Sequence, residues 1–212
     1  MNQETMQKII NITYIVDASG SMSVMKSEVE SGINNSLQEY LKDTSGINTK
    51  ISIVSFNNES KLIINNEPLT DKTKFTNYVP DGITALYDTC SPILKEKISD
   101  LTKNSQTSMQ IIIIITDGED NASVNCTSKQ IKELIEYFKS LGGIIIFTAA
   151  NIDVSANSNQ LSIDRSKSFN QQITGDFTIM MRSVSSDIAS IARESTLGIC
   201  NNTQPELTTI GV

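Results

Sequence analysis

Asp17, Ser19 and Ser21 occupy alternate positions in IVDASGSMS, Ile15 to Ser23, where a short apolar run gives way to a long amphipathic one. A strand-to-helix junction needs one capping oxygen; this one offers three. Two further oxygen-bearing residues stand in comparable places, Thr84 in DGITALYD and Asp117 in ITDGEDN. Two carboxylates and three hydroxyls make a donor set suited to a hard divalent cation. The alternate spacing lets a turning loop aim three side chains inward. Hydroxyls of Ser19, Ser21 and Thr84 can ligate directly, and Asp17 and Asp117 can balance charge directly or through water. An ion held mostly by neutral ligands keeps positive character and favours an outside carboxylate in an open position. Small ligands on a tight loop suit Mg²⁺, with Mn²⁺ and Ca²⁺ as alternatives.

Each residue also has a plainer use. Asp17, Ser19 and Ser21 could be a helix cap with spare polar residues, Thr84 a cap, and Asp117 a turn residue before Gly118. Glu119, Asp120 and Asn121 read as a solvated acidic turn, Asp153 as a cap, and Asp88 as an acid favoured by a helix start. The combination, not any one residue, points to an ion.

Composition removes other chemistries. The 212 residues include no His, which excludes Ser-His-Asp and Cys-His nucleophile pairs, an imidazole base and the usual zinc sites. A formal net charge of -7 argues against a nucleic-acid surface. Cys90, Cys126 and Cys200 are odd in number and lack CxxC spacing, as expected of reduced thiols in the cytoplasm. The opening MNQETMQK does not read as a signal peptide. The apolar run Ile111 to Ile115 is too short to span a bilayer, so no membrane association is expected.

The elements that must position these oxygens follow from periodicity. Strands are expected at Ile9 to Val16, Lys50 to Phe56, Lys61 to Asn65, Met109 to Thr116 and Ile144 to Ala149, with a short edge strand at Ser168 to Gln171. Asn57 to Ser60 reads as a hairpin link. Helical faces run through Met25, Val29, Ile33, Leu37 and Leu41; through Leu86, Cys90, Ile93, Leu94, Ile98 and Leu101; and through Ile131, Leu134, Ile135, Phe138 and Leu141. A last face runs through Phe177, Met181, Val184, Ile188 and Ile191, capped by Asp176. Short helices are expected at Asp71 to Tyr78 and Val154 to Leu161. Pro92 should kink its helix unless that helix starts later. Thr127 or Ser128 caps the helix that Gly142-Gly143 stops. The alternation predicts a three-layer, doubly wound α/β domain over residues 9–197, with tails at 1–8 and 198–212. Its central sheet is mostly parallel, with one antiparallel edge strand. Ligands of such sheets bind beyond the carboxyl ends of the strands, where the order reverses. That is where Asp17 and Asp117 fall, with Thr84 in a neighbouring loop.

DASGS, the threonine of GITAL and the aspartate of TDGEDN resemble the metal-ion-dependent adhesion site of von Willebrand factor A domains. The resemblance spans about Ile9 to Ile191, and the DGITALYD and TDGEDNAS runs are most similar to small intracellular or microbial members. It implies a Rossmann-like sheet with an ion on its upper edge held by Asp17, Ser19, Ser21, Thr84 and Asp117. It also implies a binding module rather than an enzyme, with a protein partner whose Asp or Glu completes the coordination. Small members work beside ATPases or kinases, so a structural subunit of a stress-response or conflict complex, with the ion only ordering loops, is an alternative. A metal-dependent phosphohydrolase is the enzymatic alternative, since haloacid-dehalogenase-type phosphatases also begin with an aspartate after the first strand. They need a second acid two residues on, where this chain has Ser19.

Overall fold

The computed structural model describes residues 9–43, 48–104, 108–149, 170–172, 181–182, 184–188 and 190. β1 (Ile9–Asp17) leads through a 3₁₀ turn (Gly20–Met25) into α1 (Lys26–Asp43). β2 (Asn48–Phe56) and β3 (Ser60–Pro68) follow, then α2 (Leu86–Asn104), β4 (Ser108–Thr116), α3 (Ser128–Ser140), β5 (Ile144–Ala149) and β6 (Asn170–Gln172). The described residues 181–182, 184–188 and 190 are helical. The expected helix at 154–161, the cap at Asp176 and both tails lie outside the described residues.

Among the described residues the sheet has six strands in the order β3-β2-β1-β4-β5-β6. β1 pairs in parallel with β2 and β4, β4 with β5, and β5 with β6. β3 is antiparallel to β2, as its short link demands. β1 is joined to β2 on one side through α1, and the chain returns to β4 on the other. The order therefore reverses between β1 and β4, which places the carboxyl ends of both strands at the switch point.

Alternation along the strands separates two cores. Ile10, Ile12, Tyr14 and Val16 of β1 and Ile111, Ile113 and Ile115 of β4 pack with Val29, Ile33, Leu37 and Tyr40 of α1 and with Met181, Val184 and Ile188. Ile15, Ile112, Ile114, Ile145 and Phe147 face α2 and α3 on the other side. The β4 run is apolar on both faces because both faces are covered. This is a three-layer α/β domain with helices on both sides of the sheet.

One expectation is corrected. Residues 71–78 are not a helix. Their backbone polar groups find partners on α1 instead of on one another. Asn34 donates from Nδ2 to the Phe75 carbonyl and accepts from the Phe75 N–H, both at 2.9 Å, and Glu30 accepts from the Tyr78 N–H at 3.1 Å. With those groups satisfied by side chains, and Asn77 at φ +60°, the segment runs as an anchored loop. Pro92 lies inside α2, as its place in the apolar face starting at Leu86 implied, and the helix does not start later. Tertiary packing of Leu86, Cys90, Leu94 and Leu101 into the second core outweighs the one backbone hydrogen bond proline forfeits.

The first helical stretch also begins earlier than its apolar period shows, as the 3₁₀ turn that buries Met22 and Met25. α3 is capped by Thr127 in a reciprocal box with Gln130, and Gly142 at φ +87° follows its end.

Candidate metal centre

Three loops meet at the switch point, and backbone hydrogen bonds fasten them together. The Gly20 N–H donates to the Gly82 carbonyl at 3.0 Å and the Asp81 N–H to the Ala18 carbonyl at 2.7 Å. The N–H groups of Asn121 and Ala122 both donate to the Thr84 carbonyl, at 3.0 and 3.1 Å. Gly82 sits at φ +80°, and a Cβ there would lie 2.8 Å from Asn58 Oδ1, so this turn requires glycine.

Asp17 ends β1 and is fully buried. Its Oδ1 accepts from the Ser19 N–H at 2.7 Å and its Oδ2 from the Thr116 hydroxyl at 2.6 Å. The Tyr78 hydroxyl donates to the Asp17 carbonyl. The Ser19 and Ser21 hydroxyls are 3.1 Å apart, and Ser21 donates to Asp117 Oδ1 at 2.8 Å. Four of the five residues singled out in the sequence thus lie along one continuous polar chain, Asp17–Ser19–Ser21–Asp117. Thr84 is buried beside it. Its N–H donates to Asn121 Oδ1 at 2.9 Å, and a Cβ built on Gly118 would lie 3.8 Å from its hydroxyl oxygen.

Burial, and after it the neighbouring Asp117 charge, push the Asp17 carboxyl above its usual range, against the hydrogen bonds from Thr116 and Ser19. Burial and the charges of Asp17 and Asp117 likewise raise Tyr78, which keeps its hydroxyl a donor. Among the described residues, no lysine or arginine pairs with Asp17 or Asp117. Among the described residues the rim therefore holds two neighbouring acids that no lysine or arginine pairs with, next to hydroxyls that carry no charge. That donor set fits a divalent cation. Among the described residues no group of three or more His, Cys, Asp and Glu comes together, so a carboxylate-rich cage is not the alternative.

Several supporting residues escaped the sequence pattern. Thr116 is the polar end of an otherwise apolar strand, and it ties Asp17 to the Asp117 loop by also accepting from the Gly118 N–H at 3.2 Å. In the acidic turn Glu119 and Asn121 are exposed, as expected, and Asp120 is half-buried, but the turn also holds the loops: Asp120 accepts from the Tyr87 N–H and the Ser123 hydroxyl, and Asn121 from the Thr84 N–H. Asp88 does more than face a helix start. It accepts from the N–H groups of Val124, Asn125 and Cys126 and from Asn125 Nδ2, over 2.7–3.2 Å. Desolvation opposes its ionisation, but these donors outweigh it and hold the carboxyl below its usual range.

No protein-family model matches the sequence, and no curated protein matches it. Solved structures do match in fold. The von Willebrand factor type A protein from Catenulispora acidiphila superposes with a TM-score of 0.58 at 11% identity, over 89% of this chain and 43% of that one. The pilus adhesin SpaC from Lactobacillus rhamnosus GG gives 0.61 at 11% identity, over 86% and 31%. The manganese-loaded TRAP protein of Plasmodium vivax gives 0.55 at 16% identity, over 83% and 72%. The chain spans less than half the length of the first two. No described helix is long and apolar enough to cross a membrane. Strand order, the switch-point loops and these superpositions agree: the chain has the von Willebrand factor A fold.

Proposed function

We propose that the rim holds a divalent cation, Mg²⁺ or a close substitute such as Mn²⁺, and presents it to an acidic side chain of a protein partner. Asp17, Ser19, Ser21, Thr84 and Asp117 would hold the ion, which when bound would supply a Lewis-acidic position for the partner's carboxylate. The observation that carries this is the buried Asp17 beside Asp117, with no ion pair to a basic side chain among the described residues and in line with the Ser19 and Ser21 hydroxyls. Burying an uncompensated carboxylate is costly, and a cation at this rim offsets that cost. The manganese in the TRAP structure supports the same class of ion.

The residues of this chain set what such a site can do. Asp17 is fixed at both oxygens by Ser19 and Thr116, so it contributes charge rather than a free nucleophile. This weighs against phosphoryl capture on Asp17, as does the serine at position 19 where a phosphatase of that type needs an acid. Ser21 is exposed and Asp117 half-buried, so the site opens to solvent on the side a partner can reach. The loops are already fastened by the Gly20–Gly82, Ala18–Asp81 and Thr84–Asn121 hydrogen bonds, which favours presentation of the ion over mere loop ordering.

Retention of the chain on a resin bearing a glutamate peptide tests this. Retention with Mg²⁺ or Mn²⁺, elution by chelator and loss in Ser21→Ala are expected. Retention indifferent to chelator would overturn the proposal.

A further inference from the structure

Resting on the ion site proposed above, we infer that Asn121 is the positioning residue for Thr84, and that through Thr84 it sets which size of ion the rim accepts.

A threonine just before a helix normally turns its hydroxyl onto the free N–H groups of the first turn. Here those groups are taken. The Tyr87 N–H donates to Asp120 Oδ1 at 3.2 Å and the Asp88 N–H to Ser123 Oγ at 2.9 Å. Both acceptors lie on the loop after β4, so that loop caps α2 in place of Thr84. The same loop claims the Thr84 backbone. Asn121 Oδ1 accepts from the Thr84 N–H at 2.9 Å, and the Asn121 and Ala122 N–H groups donate to the Thr84 carbonyl at 3.0 and 3.1 Å. The hydroxyl is left over. Among the described residues it is in no hydrogen bond, whereas the side chains of Asp17, Ser19, Ser21 and Asp117 each are. Thr84 is only 3% exposed. Among the described residues Gln110 Oε1 is the one side-chain polar atom both sealed from solvent and unpaired, so the Thr84 oxygen reaches the outside. It does so beside Gly118, where an added Cβ would lie 3.8 Å from it, next in sequence to Asp117.

Asn121 is itself exposed, so its side chain serves the Thr84 N–H rather than the core. It stands four residues after Asp117, which fastens Thr84 to the loop that carries another site oxygen. The two oxygens then keep one spacing, and a fixed spacing fits one ionic radius. Mg²⁺ binds oxygens at about 2.0–2.1 Å and Ca²⁺ at about 2.3–2.6 Å. Neighbouring oxygens of an octahedron are therefore about 2.9 Å apart around Mg²⁺ and about 3.3–3.7 Å apart around Ca²⁺. Ser19 Oγ lies 3.1 Å from Ser21 Oγ, and Ser21 Oγ 2.8 Å from Asp117 Oδ1, spacings of the smaller ion. Released from Asn121, Thr84 can follow the larger one.

Calorimetric titration of the full chain with Mg²⁺ alone and with Ca²⁺ alone tests this. The parent is expected to prefer Mg²⁺. Asn121→Ala should lose about tenfold in Mg²⁺ affinity, as for other partners that orient a ligand, and much less in Ca²⁺ affinity. Asn121→Asp keeps the acceptor and should keep the preference between the ions. In the double variant Thr84→Ala, Asn121→Ala, the second change should add nothing to the loss from Thr84→Ala, because it acts through that hydroxyl. Thr127→Ala, whose side chain is bonded to Gln130, controls for lost stability and should leave both affinities unchanged. Asn121→Ser repeats the reading if the alanine variant does not fold. Equal losses for the two ions, or losses that add in the double variant, would overturn the role of Asn121 and leave the ion site standing. A parent with no affinity for either ion would take the site down as well.

Discussion

Replacing Asp17 by asparagine separates the ion's contribution from that of the hydrogen bonds. The side chain is buried, with Oδ1 2.7 Å from the Ser19 nitrogen and Oδ2 2.6 Å from the Thr116 hydroxyl. An asparagine keeps both contacts. Its oxygen accepts from Ser19, and its amide donates to Thr116, whose proton turns to the Gly118 carbonyl 3.2 Å away. The metal-free protein should thus melt within a few degrees of the parent, since the net change is about 1 kcal/mol or less. It should also lose one pH dependence. The raised Asp17 carboxyl binds its proton more tightly folded than unfolded. Metal-free stability therefore falls as pH rises from the ordinary carboxyl range through the folded value, and Asp17→Asn removes that fall. The metal response should change most. Ion at about 100 times Kd stabilises a folded-state site by about 2.7 kcal/mol. For a chain of this length that is roughly 5–11 °C. Losing one charge-assisted contact of about 3 kcal/mol weakens binding by about 150-fold and leaves about 0.3 kcal/mol, or about 1 °C. Differential scanning fluorimetry with and without Mg²⁺ reads both effects. A variant that keeps the full metal-induced shift would refute the site, and a metal-free melting point lower by more than about 10 °C would refute the hydrogen-bond exchange.

Asp88→Ala removes all acceptors for the Val124, Asn125 and Cys126 N–H groups and should cost about 2–4 kcal/mol in urea unfolding. Because the Asp88 carboxyl is lowered in the folded state, its stabilisation is full above the ordinary carboxyl value and is lost as pH falls through the folded one. A parent that already matches the variant between about pH 4 and pH 5, above the ordinary carboxyl value, would contradict this. Gly82→Ala meets both a positive φ and Asn58 Oδ1; a loss of about 1–2 kcal/mol is expected, and an unchanged urea midpoint would show that the turn relaxes freely. Thr127→Ala opens the capping box of α3 and should cost about 1 kcal/mol, with faster amide exchange at Gln130 as its local signature.

Much of the architecture was legible because two periodicities dominate it. An isoleucine run with no polar face, short and β-branched throughout, reads as a strand covered on both sides, and β4 lies between β1 and β5. The switch-point oxygens were legible because DASGS and ITDGEDN each follow a strand, and the topology brings those strand ends together. Residues 71–78 were not legible. Phe75 and Tyr78 are three apart, as in a helix, but their rings pack 5.5 Å apart and their backbone is held by α1 side chains 41 and 48 residues away in sequence. No local pattern encodes that. The bonds of Asp120 and Asn121 were hidden for the same reason: their partners, Tyr87 and Thr84, come from a different loop. Thr116 did carry a signal, as the one hydroxyl closing an all-isoleucine run, and its meaning depends on Asp17 being the neighbour across the sheet.

The bond between Thr116 and Asp17 closes a gap of 99 residues, and β1 gains its second neighbour only when β4 is in place. A nascent chain leaving the ribosome must therefore carry β1 with one bare backbone edge until β4, which ends 99 residues after Asp17, has been made. Premature termination anywhere before Thr116 yields a fragment that can recruit other strands to that edge, and a chaperone that shields it during synthesis has a defined target and a defined moment to let go.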